Sequence, residues 1–240
     1  MKSLVANETE AILVHSRKYS ETSLICELFT RKNGRVSVIA KGARSKKNKF
    51  QNIASPNILA NINYSGKTEL KTLISWEEIK YFQILGKNLK ILLYINELIF
   101  RLLEKENKQE KIFEAMISMY RTIEIEESKN IEISLREFEY FLICELGYGF
   151  NFKLDDRGKE IDKDGTYYFH PTLGFSEKPI NNFLKIFLPA GFYYKTFMWP
   201  KSFWYKVYEP FIRKAAGLGV ASIKHDKERY EHKYEYCDLL

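Results

Sequence analysis

The first 80 residues read as a series of short, closely spaced strands, and this limits the fold more than any other feature of the sequence. Residues 11–15 (AILVH) and 23–29 (SLICELF) are rich in β-forming side chains, with a turn-like SRKYSET segment between them. Asn33-Gly34 is a hairpin signal, because a two-residue type I′ turn needs positive φ at both central positions. Residues 34–41 then alternate. Val36, Val38 and Ala40 point one way, and Arg35, Ser37, Ile39 and Lys41 the other. After a basic loop come 57–64, a Ser65-Gly66 turn and 69–75 (ELKTLIS). About five short strands in so few residues fit a small closed barrel, and the five-stranded OB-fold leads.

The pattern changes near residue 80. Residues 87–105 carry apolar side chains at 92, 95, 98, 99, 102 and 103, a helical stripe broad enough to be mostly buried. A second amphipathic helix is expected over 109–123, then a polar link at 124–130 (EIEESKN). A third helix starts near Ile131 or Ser134, where Ser134 and Glu137 have capping-box spacing, and stops at Gly147. Residues 148–178 lose this periodicity and carry turn signals at Arg157-Gly158 and Asp164-Gly165, with a further bend at Gly174, so a small β insert is expected. From 181 short helical pieces return, interrupted at Pro189, Pro200 and Pro210. The expected divisions are therefore 1–80, 81–147, 148–180 and 181–240, the last packing on the helical part. The class is an α+β multidomain chain.

Charge is distributed unevenly along this frame. The chain is +7, yet the window from Leu28 to Thr68 holds nine basic residues and no acid. Outside it, 29 basic residues face 31 acidic ones. A charged face that serves solubility usually mixes signs, whereas an acid-free one suits a polyanion. Lys41, Arg44, Lys46, Lys47 and Lys49 leave a strand and enter a loop, with Arg35 on the same strand face as Lys41. Such side chains neutralise phosphates without reading sequence. Arg17 and Lys18, expected in the first inter-strand loop, are further phosphate contacts. Tyr19 beside them can stack on a base or pack at the barrel rim.

Several classes find little support. Three scattered cysteines (Cys26, Cys144, Cys237) argue against a disulfide framework and for a reducing compartment. The start, MKSLVANETEAIL, has no long apolar run, so no secretory signal is expected. No phosphate loop, HExxH or Ser/His/Asp arrangement stands out. The reading is a non-enzyme without cofactor. The rivals are an RNA-binding barrel, a nuclease using carboxylates of the insert, and a membrane-surface protein.

Five segments, in this order, carry a resemblance: HSRKYSETSLICELFT (15–30), GRVSVIAKGARSKK (34–47), TLISWEE (72–78), YINELI (94–99) and CELGYGFNF (144–152). Together they resemble the RecO family of bacterial DNA repair and recombination mediators, well over 8–178 and loosely beyond. The resemblance implies an N-terminal OB-fold, a helical bundle, and an insert that is a zinc ribbon in some members. It implies binding of single- and double-stranded DNA and strand annealing by a cytoplasmic, nucleoid-associated protein. Its implied partners are the single-stranded-DNA-binding protein, RecR and, indirectly, RecA. It assigns Arg136 to the acidic C-terminal tail of the single-stranded-DNA-binding protein, with Leu135, Phe138, Leu142 and Leu146 as pocket or core. An Arg136–Glu139 contact along the helix is the plainer alternative. The insert departs from the family in having no cysteine, so a metal-free, degenerate zinc-ribbon-like unit is expected. The tail departs too. Leu218-Gly219 is followed by IKHD (223–226), with His225 and Asp226 in place of serine and arginine.

Overall fold

The computed structural model describes residues 7–187, apart from 46–47, 51, 126–127, 150, 152, 163–164, 171–172 and 179–183. The tail with its aromatic run and IKHD segment lies outside the described residues, as do Lys46 and Lys47. Contacts divide the chain into two compact units, one running to Glu127 and the other starting at Ser128.

In the first unit five strands close a barrel in the order β1-β2-β3-β5-β4. They are β1 (Asn7–Tyr19), β2 (Ser23–Thr30), β3 (Gly34–Ala40), β4 (Ile58–Ser65) and β5 (Leu70–Tyr81). All neighbouring strands run antiparallel except β3 and β5, which close the barrel through a short parallel pairing of Ser37–Ile39 with Leu70–Thr72. Strand parity is obeyed. Leu24, Cys26, Leu28, Val36, Val38 and Ala40 point into a core shared with Ile62, Tyr64, Leu73 and Trp76. Burial pushes the Cys26 thiol up to about 12, so it stays a protonated core filler. The loop after β3 joins this core through Phe50 and Ile53, both buried. The basic loop therefore has an apolar root.

Strand β1 is longer than the apolar run 11–15 suggested. A bulge between Leu13 and His15 resets the register, and pairing continues to Tyr19 opposite Ser23. Arg17 and Lys18 consequently sit on a strand, opposite Ile25 and Leu24, and not in the loop expected for them. The Asn33-Gly34 turn also differs. Thr30 pairs with Gly34 around three residues, and of the turn residues only Gly34 has positive φ (68°). The Thr30 hydroxyl accepts from the Asn33 N–H (3.1 Å) and donates to the Gly34 carbonyl (2.7 Å), which holds this wider loop.

Helices α1 (Lys87–Leu102) and α2 (Glu110–Ile125) belong to the barrel's unit. Sequence reading set them apart from residue 81. Aromatic packing joins them to the strands. Phe100 stacks on His15 at 4.8 Å between ring centroids, Phe113 meets Phe29 at 5.4 Å, and Tyr120 meets Phe82 edge-on at 5.3 Å. Ile12 and Phe29 point out of the barrel yet are fully buried beneath these helices. Lys80 and the Gln83 N–H both bind the Glu124 carboxylate, tying the end of α2 to the end of β5. These contacts hold that carboxyl below its ordinary range.

The second unit begins with α3 (Ser128–Glu145), which starts earlier than expected. Ser134 and Glu137 are therefore mid-helix and form no cap, and most of the polar stretch 124–130 is helical. A three-stranded sheet follows in the order β7-β6-β8, with β6 (Thr166–His170), β7 (Gly174–Ser176) and β8 (Leu184–Phe187). Strand β8 falls where helical pieces were expected. Its LKIF residues take the free edge of β6, which satisfies backbone groups that a lone hairpin would leave open. Among the described residues no three His, Cys, Asp or Glu side chains gather as metal ligands. Asp155 instead braces a turn, accepting from the Arg157 and Lys159 N–H groups at 2.9 and 2.8 Å.

Gly34 is constrained twice over. Its φ is left-handed, and a Cβ there would stand 1.9 Å from the Asn107 carbonyl oxygen. Gly34→Ala is expected to cost more than about 2 kcal/mol, through left-handed strain and displacement of residue 107. Asn33→Ala, which a type I′ turn would penalise, should change the thermal midpoint little. Thermal unfolding of the two variants checks both.

Candidate nucleic-acid interface

The outer surface of β2 and β3 is where OB-folds generally take oligonucleotides. Here much of it is occupied by the chain itself. Of its outward residues, Phe29 packs on Phe113, and Glu27 and Arg35 pair with each other at 2.9 Å. Arg35 also donates to the Leu103 carbonyl (3.2 Å) and lies over the Phe100 ring. Lys105 approaches Glu27 to 4.0 Å, and the Glu106 N–H donates to the Arg35 carbonyl (2.8 Å). The end of α1 and the link to α2 therefore cover the lower half of this face.

This splits the basic window in two. Arg31 pairs with Glu10 and Glu114 and lies over Phe113. The Lys32 ammonium donates to the Glu8 carbonyl. Arg31 and Arg35 at the β2–β3 end thus fasten the barrel to its helices, while Lys32 binds back to β1. The sequence expected Arg35 to face a phosphate beside Lys41; its guanidinium is half-buried against Glu27 and Phe100, and its field is largely cancelled.

The other group gathers at the opposite end. Lys18, Leu24 and Ala40 lie in one cross-strand row, and so do Arg17, Ile25 and Ile39. At about 4.8 Å per strand, the Lys18 backbone is roughly 10 Å from that of Ala40, immediately before Lys41. Arg17, Lys18, Lys41, Arg44 and Lys49 are all exposed. The backbone after β3 folds back onto the β1–β2 turn. The Arg44 N–H donates to the Thr22 carbonyl (2.8 Å), and its guanidinium donates to the Ser20 carbonyl (3.2 Å). Gly42 makes this return possible, with a φ of 75° and Ser45 bonded to its carbonyl. Lys49 donates to the Ile74 carbonyl (3.4 Å), so the row continues toward β5. The acid in this turn is Glu21, also exposed. The pairing of the two turns was not legible in the sequence, because it depends on the bulge in β1 and on the left-handed Gly42.

The second expected site lies on α3. Leu135, Phe138 and Leu142 are buried, and Leu146 is half-buried. Arg136 is buried as well and pairs with Glu139 at 2.6 Å, one helical turn on, where Glu139 has no exposed surface. Both hold further polar contacts. An incoming carboxylate would compete with Glu139 for the guanidinium.

The first unit is thus a five-stranded barrel of OB topology, backed by two helices and carrying a cationic rim at one end. Comparison with known proteins makes this specific. Residues 1–82 match the model of the recombination protein O N-terminal region, and 86–180 match that of its C-terminal region. The chain is 37% identical over 167 residues to proteins named DNA repair protein RecO from Salmonella dublin, Salmonella paratyphi B and Salmonella newport. The match covers 69% of this chain and 69% of each relative. The chain belongs to the RecO family. Among the described residues no helix is long and apolar enough to cross a membrane.

Arg35 and the rim should separate experimentally. Arg35→Ala removes an ion pair and a backbone bond, and should destabilise by about 1.5–3 kcal/mol. The salt dependence of DNA binding by the folded variant should be unchanged. A shallower salt slope would return Arg35 to the DNA surface.

Proposed function

We propose that the protein is a non-catalytic DNA-binding mediator that anneals complementary strands and helps load RecA onto strands coated by single-stranded-DNA-binding protein. Its family places it in DNA repair and recombination. The observation that carries the finer reading is the convergence of Arg17, Lys18, Lys41, Arg44 and Lys49 on one exposed barrel end, while the acids of the covered face are engaged elsewhere. Lys46 and Lys47 lie between these positions in sequence and are included in the proposed surface.

The mechanism needs no bond to be made or broken. Two strands repel each other through their phosphates. A fixed cationic rim that holds one strand lowers the cost of bringing up the second and releases counterions as it does so. Phosphate contact of this kind is indifferent to sequence, which suits annealing of any complementary pair. The surrounding partners in this reading are RecR and the tail of the single-stranded-DNA-binding protein, in a cytoplasmic, nucleoid-associated setting.

Tail capture is assigned to Arg136 with Leu135, Phe138, Leu142 and Leu146. An arginine fork suits a terminal carboxylate, and the apolar neighbours suit an aromatic tail residue.

Two measurements test these parts separately. Lys41→Ala with Arg44→Ala should weaken DNA binding and reduce the log–log salt slope by about 1 per residue removed. Wild-type affinity and slope would defeat the assignment. For the tail, Arg136→Ala alone is a poor probe, because it takes the cation away from the buried Glu139 carboxylate, at about 3–5 kcal/mol. Arg136→Met with Glu139→Leu keeps volume and removes both charges. That variant should fold, bind DNA normally and lose binding to an acidic tail peptide; retained peptide binding would sink the proposal.

A further inference from the structure

We infer that Tyr19 is a base-stacking site, and that it gives the cationic barrel end its preference for unpaired strands. The inference rests on the DNA-binding reading above. It concerns what the phosphate contacts cannot supply, which is discrimination between single strands and duplex.

Tyr19 closes β1, paired with Ser23, and 47% of its surface is exposed. It follows Arg17 and Lys18 directly and precedes the turn that Arg44 clasps. Among the described residues the exposed aromatics are Tyr19 and Tyr81, at 47% and 44%. Phe29, Phe50, Phe82, Phe113 and Tyr120 are fully buried, and each lies against a ring or a cation. Tyr19 is the aromatic placed among exposed cations at this end.

The turn fixes its position. Ser20 has a φ of 52°, a left-handed conformation that non-glycine residues seldom adopt. The Ser20 carbonyl accepts from the Arg44 guanidinium, and the Thr22 carbonyl accepts from the Arg44 N–H. The residue after the ring is thus held by the same arginine that would meet a phosphate. A strand whose phosphates lie on Arg17, which shares the strand face of Tyr19, and on Lys41 and Arg44 would bring an unpaired base to the tyrosine face. Bases in a duplex are stacked on their neighbours and offer no face to the ring. Stacking is tolerant of sequence, since every base has a π-face, so the site adds strand-state selectivity without adding sequence preference.

The test compares wild type, Tyr19→Ala and Tyr19→Phe on three probes of equal length: a mixed-sequence single strand, an abasic single strand and a duplex. Thermal unfolding first establishes that each variant is folded. Tyr19→Ala should weaken binding to the mixed single strand about tenfold, while Tyr19→Phe retains it. On the abasic strand and the duplex all three proteins should bind alike. An equal loss on the abasic strand would overturn the stacking site, because no base is there to be stacked. No loss on any probe would overturn it too. Lys41→Ala with Arg44→Ala, run alongside, separates the two readings. Loss in that variant with none in Tyr19→Ala defeats the stacking site alone. Full binding in both defeats the proposed DNA surface as well.

Discussion

Arg35 is the point on which the first unit turns. Its carbonyl receives the Glu106 N–H, and its guanidinium reaches Glu27, the Leu103 carbonyl and the Phe100 ring. Strand β3 pairs with β5 only from Ser37 onward, so the first part of β3 has an unpaired edge. The link between α1 and α2 supplies the missing partner there, as an isolated bridge from Lys105 to Arg35. An open edge invites pairing with other chains. Covering it with the chain's own link protects the edge and sets the position of both helices. The close approach of residue 107 is what leaves no room for a side chain at Gly34.

This arrangement confines the proposed DNA surface to one end of the barrel. In a bare barrel of this topology the outward side chains of β2 and β3 would be available along their length. Here Glu27, Phe29 and Arg35 are held against the helices, and only the Ile25 and Ile39 end of the strands leads to open cations. The acid in the covered region has its charge balanced locally. Glu27 is paired with Arg35, bonded to Ser37 and approached by Lys105. It subtracts little from the field at the far end. Within the run 31–49, Arg31 and Arg35 thus fasten helices, whereas Lys41, Arg44 and Lys49 face outward beside Arg17 and Lys18 of β1.

Much of the barrel could be read from the chain because strand parity is a local signal. The alternation of Val36, Val38 and Ala40 against Arg35, Ser37 and Ile39 gave the correct inside and outside. What parity cannot give is what lies over the outside. Ile12 and Phe29 point outward and are fully buried, because helices distant in sequence return to cover them. The same limit governed Arg35, whose partners Leu103 and Glu106 are about 70 positions away. Turn chemistry was the other weak point. Asn33-Gly34 signals a two-residue hairpin, but the Thr30 hydroxyl bonds at both ends of a three-residue loop and stabilises it instead. The early start of α3 was missed for a related reason. Ser128, Lys129 and Asn130 read as a polar link, yet such residues in a first turn are compatible with a helix.

Under the annealing proposed above, the position of the outward cations has a consequence that composition alone would not suggest. A groove lined with charge along both walls would enclose a strand and hide its bases from a complement. A rim at the end of a barrel would contact a strand over only a few phosphates, since Lys18 and Lys41 are separated by about two strand spacings. Few contacts give modest affinity with fast release, and they leave the flanking bases free to pair. As pairing proceeds, duplex replaces the single strand on the rim. A contact that favours unpaired bases would then weaken as the product forms. The same small surface can in this way hold a strand long enough to meet its complement and let the duplex go.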